Sequence, residues 1–289
     1  MVQNTNDGSA APPRLRIDIS WGNLSGLPGY YPTPQGDDQA LHQAAQAAGF
    51  MGIQDGDPEI CASLGLAYGM SGRVSAISEA KVLAEKAKRQ NADCVTLHVG
   101  WGIESEDETY ALVEDVLKAS DQVNIPLYIE THRATITQDM WRSVQIAHKF
   151  PEVRFNGDFS HWYTGQEMVY GDLERKWEFL APVFERVRYI HGRIGNPGNI
   201  QVDIGDGQDR SFVDHFKQMW TRSFRGFLAT ARPGDYLCFT PELLGPPSYA
   251  RLVRNAAGQE VEEGNRWQQA LLYAEIARTC FEAVQHESG

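Results

Sequence analysis

Cysteine is scarce: Cys61, Cys94, Cys238 and Cys280 are the only four in 289 residues, and no two share a CxxC spacing. That excludes a zinc knuckle or a compact disulfide framework, and leaves the thiols as reduced packing residues. No run of about 18 apolar residues occurs, so nothing in the sequence reads as a membrane span. The start lacks a basic n-region and an apolar h-region; residues 1–13, polar with Gly, Ala and Pro, read as a disordered tail, and a soluble cytoplasmic protein is expected. Clusters of Lys and Arg are missing too. With 38 acidic against 26 basic residues the formal charge is -12, which repels a polyanion, so nucleic acid is excluded as a partner. No Pro/Ser-rich linker interrupts the interior, and residues 14–289 are read as a single domain whose 42% hydrophobic content supports a sizeable core.

What the chain does have is regular alternation. Short apolar or β-branched runs at 15–20, 52–54, 65–69, 94–99, 126–130, 153–158, 188–191 and 236–242 read as strands. Helix-favouring or amphipathic stretches lie between and after them, at 39–49, 78–91, 109–120, 138–150, 173–187, 211–230 and 265–287. Strands alternating with helices make a parallel sheet, and eight such units predict an α/β protein of the (β/α)8 TIM-barrel class, close to its usual length of about 250 residues. An open doubly wound sheet would place a Gly-rich phosphate turn after the first strand; Ser20-Trp21-Gly22-Asn23-Leu24-Ser25-Gly26 has the wrong spacing.

In such a barrel every strand delivers its last residues to one face, where active sites are built. Glu130, Asp158, His191 and Glu242 stand near the ends of four successive strands. Three carboxylates and an imidazole make a hard, mostly oxygen donor set, suited to one divalent ion: Mn²⁺ foremost, with Co²⁺, Mg²⁺ and Zn²⁺ compatible.

The segments Glu130-Thr131-His132-Arg133, Asp158-Phe159-Ser160-His161, His191-Gly192-Arg193-Ile194-Gly195-Asn196-Pro197-Gly198 and Thr240-Pro241-Glu242 resemble the xylose isomerase-like TIM-barrel superfamily of sugar isomerases, sugar epimerases and endonuclease IV, over roughly residues 14–285. The resemblance implies that Glu130, Asp158, His191 and Glu242 hold one cation, and that Glu130 and Glu242 double as acid/base groups on opposite faces of a sugar. Chemically, a cation polarises a carbonyl and stabilises the enediolate left when the adjacent proton departs. Returning the proton to the other face epimerises, returning it to the neighbouring carbon isomerises, and a β leaving group turns the enzyme into a dehydratase or lyase. The expected function is therefore a metal-dependent sugar isomerase or epimerase acting on a small carbohydrate; a dehydratase, lyase or hydrolase of keto-sugars or 3-keto-glycosides is the alternative. A homo-oligomer stays open, because relatives of this kind often form dimers or tetramers.

Around that set, His98, His132, His161 and Arg193 are candidate substrate contacts, and Trp21, Trp101 and Trp162, each after a strand end, offer faces for a sugar ring. Arg133 beside His132 suits an anionic group. Arg193 departs from the epimerase pattern and reads equally as an ion pair to a neighbouring carboxylate. Residues 196–209, rich in Gly, Asp and Asn, read either as a lid or as a surface excursion. An endonuclease IV-type trinuclear centre needs a His after the third strand and an Asp-x-His beyond the seventh; Ala67-Tyr68-Gly69-Met70-Ser71 holds none, and no His lies between His191 and His215. A non-catalytic sugar-binding barrel would be expected to lose ligands, and all four are present.

Overall fold

The computed structural model describes residues 4–208 and 210–287. Its first barrel strand, β1, comes in two pieces, Arg14–Ile17 and Ile19–Ser20. The others are β2 (Gly52–Gln54), β3 (Ala67–Val74), β4 (Val95–Val99), β5 (Leu127–Glu130), β6 (Phe155–Asn156), β7 (Val187–Gly192) and β8 (Asp235–Pro241). Each pairs in parallel with the next. The two pieces of β1 close the ring, because Leu15 lies opposite Leu237 of β8 while Ile19 lies opposite Ile53 of β2. Between them the Asp18 N–H donates to the Phe239 carbonyl (3.0 Å) and the Ile17 carbonyl accepts from Met51 (2.8 Å), so the backbone turns from one neighbour to the other within a single residue.

Helices α1 (Asp38–Ala47), α2 (Pro58–Leu64), α3 (Glu79–Arg89), α4 (Glu106–Val123), α5 (Met140–Lys149), α6 (Leu173–Phe184), α7 (Ser211–Leu228) and α8 (Arg266–Glu287) follow the strands in turn. Their starts are written in the sequence. Asp37, Asp57, Asp139 and Asp172 each accept a first-turn N–H, Pro58 opens α2, and Ser105 with Glu108 forms a capping box. No helix among the described residues is long and apolar enough to cross a membrane.

The strand period of two decides what faces the barrel axis. Along β7, Tyr189 and His191 share the inner face; along β8, Tyr236, Cys238 and Thr240 do, with Thr240 donating to the Tyr189 hydroxyl at 2.7 Å. Cys94, Tyr128, Tyr189, Tyr236 and Cys238 form a buried cluster inside the barrel, separate from the apolar layer that packs strands on helices.

Residues 4–13 depart from the disordered tail expected of them. Thr5–Asn6 pairs antiparallel with β8, and Thr5 donates its N–H to the Tyr128 hydroxyl (2.9 Å) and its hydroxyl to the Tyr236 carbonyl (2.5 Å). The tail is polar, but so is the barrel end it meets, and that match orders it. Residues 1–3 lie outside the described residues. Residues 196–208 are likewise held rather than splayed: Ile200, Val202 and Ile204 are buried, and Gln201 exchanges hydrogen bonds with Leu244 (3.0 Å each). Asp209, the last residue of that stretch, lies outside the described residues. A hairpin of Leu252–Arg254 and Glu260–Glu262 follows β8; both strands are short and largely exposed, and they carry no apolar alternation to announce them.

Candidate active site

The carboxyl ends of β5, β6 and β7 bring Glu130, Asp158 and His191 together, with ligand atoms within 4.8 Å of one another and each side chain buried. Every member is aimed by a neighbour. Ser160 fixes one Asp158 oxygen, Oδ1, through its backbone N–H (3.1 Å) and its hydroxyl (2.5 Å). That leaves Oδ2 buried without an aligned donor. Glu130 Oε1 faces His98 Nε2 (3.1 Å), and Oε2 accepts from the Asn156 amide (3.0 Å).

His191 is held at both ring nitrogens. Its Nε2 donates to Gln54 Oε1 (2.8 Å), and Gln54 in turn donates to Thr96 (2.8 Å), so Nδ1 is the nitrogen turned into the cluster. Nδ1 lies 3.0 Å from the Asn156 amide, 3.3 Å from Glu130 Oε2 and 3.4 Å from Glu242 Oε2. Asn156 spends its Oδ1 on the His191 backbone N–H (3.1 Å), so its NH₂ must face Nδ1. That amide demands a lone pair on Nδ1, whereas the two carboxylates demand positive charge there. Burial opposes the charged ring, but Glu242 and Glu130 outweigh it and push His191 up to about 9. A cation on the Nδ1 lone pair meets both demands.

Glu242 joins the cluster differently from its three partners. Its Oε2 pairs with Arg193, whose Nη1 also lies 3.3 Å from Asp158 Oδ2 and whose Nε donates to the Glu242 carbonyl at 3.0 Å. Arg193 is buried and clamps two carboxylates, with the Tyr249 ring 4.3 Å from its guanidinium carbon. The ion-pair reading of Arg193 thus describes this structure, with Nη2 and Nε engaged by Glu242 and Nη1 facing Asp158. The four expected ligands accordingly form a set of three, with the fourth tied in through Arg193.

The donor set still fits a divalent cation. Its donors are hard carboxylate oxygens and one imidazole nitrogen, buried together with their ligand atoms within 4.8 Å of one another. The two glutamates are also set apart. Burial would raise both, but His191 and His98 hold Glu130 well below the ordinary carboxylate range, while for Glu242 burial prevails over His191 and Arg193 and its carboxyl is raised.

At the rim three imidazoles stack. His98 lies 4.0 Å from His132, and His132 lies 3.8 Å from His161, between ring centroids. His161 is buried with both ring nitrogens lacking an aligned partner, its Nε2 3.4 Å from Asp158 Oδ2. Burial, then the neighbouring His161, brings His132 down to about 3, so the ring is neutral; its Nδ1 is engaged with the Arg133 carbonyl (2.5 Å).

The three tryptophans part company. Trp101 is half exposed, fixed by Glu104, which accepts from the N–H groups of Trp101 (2.7 Å) and Gly102 (2.8 Å). Trp21 is partly buried against His42, 4.9 Å between centroids. Trp162 is fully buried and donates its indole N–H to the Thr137 carbonyl (2.8 Å), so it is wall and core, not the stacking face expected of it. Gln54, Asn156 and Tyr249 were not singled out in the sequence. The first two end strands on the inner face and were findable by the rule that exposed Glu130; Tyr249 follows β8 in a loop with no such signal.

No family model matches the chain, and no curated protein does. Solved structures do. A xylose isomerase-like TIM barrel protein from Mycobacterium smegmatis, in complex with magnesium, is 12% identical with a TM-score of 0.57, covering 93% of this chain and 98% of its own. The probable 3-DHS dehydratase AsbF from Bacillus anthracis is 14% identical with a TM-score of 0.54, covering 91% and 97%. The chain has the xylose isomerase-like TIM-barrel fold.

Proposed function

We propose that this protein is a divalent-cation-dependent enzyme that moves the proton beside a carbonyl of a sugar or related polyhydroxy compound, as an isomerase or epimerase. The main support is the convergence of Glu130, Asp158 and His191, buried with their ligand atoms within 4.8 Å of one another; Asp158 Oδ2 meets Arg193 and His161 only at 3.3 and 3.4 Å, without an aligned donor, and a bound cation would satisfy it. Glu130, Asp158 and His191 would hold the ion, Mn²⁺ foremost. When bound, the cation supplies polarisation of the substrate carbonyl and stabilises negative charge developing on its oxygen.

The chain's own groups supply the proton chemistry. Glu130 is held well below the ordinary carboxylate range, so it serves as the base; Glu242, whose carboxyl burial raises and whose side chain is 18% exposed, serves as its partner in proton exchange at the mouth. Two carboxyl groups whose surroundings push their proton affinities apart are the pattern of an acid and a base at one site. Arg193 keeps Glu242 and Asp158 at fixed separation.

Metal analysis followed by incubation with ketoses and 3-keto-glycosides in D₂O tests this. About one equivalent of divalent ion and deuterium at the carbon beside the carbonyl are expected, and Asp158→Ala should lose both. Release of a β substituent along with exchange would instead identify the dehydratase or lyase outcome. Absence of ion and of exchange throughout would overturn the proposal.

A further inference from the structure

Two guanidinium groups stand at the rim beside the imidazole stack without a carboxylate partner. Arg73, on β3, lies in register with His98 on β4 and takes no part in an ion pair among the described residues; nor does Arg133, which follows His132. Both groups are nonetheless held in place. Arg73 stacks on Trp101 (4.3 Å) and donates to the Gly100 carbonyl (2.7 Å); Arg133 lies over Tyr249 (5.1 Å), the ring that also packs on Arg193.

The backbone under them is specialised as well. Gly100 sits at φ +66, and a Cβ there would meet Glu104 and Ile136 at 2.7 Å, so the turn that carries Trp101 requires glycine. Beyond Arg133, Ala134 adopts φ +53, which is disfavoured for a residue with a side chain and persists only where its surroundings over-determine it. Thr135 donating to the His132 carbonyl (2.6 Å) and Thr137 donating to the Glu130 carbonyl supply that constraint. The strained turn begins directly after Glu130 and projects His132 and Arg133 beyond it.

We propose that the substrate of this site carries a negative charge away from its reacting carbonyl, a carboxylate or a phosphate ester, and that Arg133 and Arg73 are the residues that select it. This rests on the proton-transfer function proposed above. A guanidinium offers a planar fork that matches a carboxylate or phosphate oxygen pair, and Arg73 spends only its Nη1 on a backbone carbonyl. Arg193 differs from both, because it is buried and faces Asp158 and Glu242.

A matched trio provides the test: D-fructose, D-fructuronate, which bears a carboxylate at the far end of the same skeleton, and D-fructose 6-phosphate, each followed by deuterium uptake from D₂O with the manganese-loaded protein. One charged member should exceed fructose in kcat/KM by about tenfold or more, the scale of a hydrogen bond to a charged group. Which one it is separates the carboxylate from the phosphate. Arg133→Gln and Arg73→Gln should each raise KM for that member by about tenfold while the manganese content stays at one equivalent, with Arg133→Lys recovering part of the loss. Exchange into fructose at a rate equal to or above both charged members, or a preference that both Gln variants leave untouched, would overturn this inference and leave the parent function standing. Exchange into none of the three and into no neutral ketose or 3-keto-glycoside would remove the parent function and this inference with it.

Discussion

At the amino end of the barrel Arg16 places its guanidinium on Asp18, with contacts at 2.8, 3.0 and 3.1 Å, and on Asp93 at 2.5 Å, under the Tyr236 ring at 4.4 Å. Asn4 closes the same end by donating to Asp235 (2.7 Å) and accepting from Arg188 (2.7 Å). At the carboxyl end the inner face again carries buried charge, but Asp158 Oδ2, Arg193 Nη1 and both nitrogens of His161 lack aligned partners. Buried polar atoms are costly unless satisfied, so the first arrangement is what structure requires and the second is what a site for an ion or substrate requires. The strands thus hold a paired ion cluster around Arg16 and Asp18 at one end and a cluster of unaligned polar atoms around Asp158 and His161 at the other.

The largest separation between the ends should come from Glu242→Gln. It keeps shape and packing but removes the titrating oxygen, so kcat should fall by about 10²- to 10⁴-fold while the melting temperature stays near that of the parent. A matching fall in melting temperature would show that Glu242 is structural. Arg16→Leu should give the mirror image: it leaves Asp18 buried beside Asp93 without its cation, a loss of about 3–5 kcal/mol in urea unfolding, with the ion content of the folded fraction unchanged. Loss of the ion in that variant would join the two ends into one unit.

A smaller effect of opposite sign is expected at the stack. His161→Phe removes two buried nitrogens that have no aligned partner and keeps a ring against His132, so stability should rise by about 1 kcal/mol. A clear loss would mean that His161 is satisfied in a way its geometry does not show. The least effect concerns the thiols. All four cysteines are buried, and burial pushes Cys61 up to about 11, so a thiol reagent at pH 8 should label none of them until the protein is unfolded.

Much of this arrangement was legible before any coordinates. The alternation of apolar runs and helix-favouring stretches announced all eight strands, and β2 appeared with the bounds 52–54. Glu130, Asp158 and His191 were found by one rule, that strands of a barrel end on a common face. Where the signal was weaker the bounds drifted: β3 runs from Ala67 to Val74 rather than over 65–69, because Met70 to Val74 mixes Ser, Gly and Arg into the strand. The tail was misjudged because composition reports what a segment is made of and not what it meets; Thr5 is ordered by Tyr128, 123 positions away.

The sequence by itself determined the barrel and the face on which its ionisable residues gather, because strand periodicity is local and needs no knowledge of neighbours. Only the tertiary structure decided that Arg193 clamps Glu242 to Asp158, that Asn156 and Gln54 orient His191, that Trp162 is sealed in the wall, and that Arg73 and Arg133 stay unpaired at the rim. Those outcomes depend on how the strands stagger as the ring closes and on how far each side chain reaches across it. A difference of one rotamer there separates a ligand from an ion pair, and no pattern along the chain encodes it.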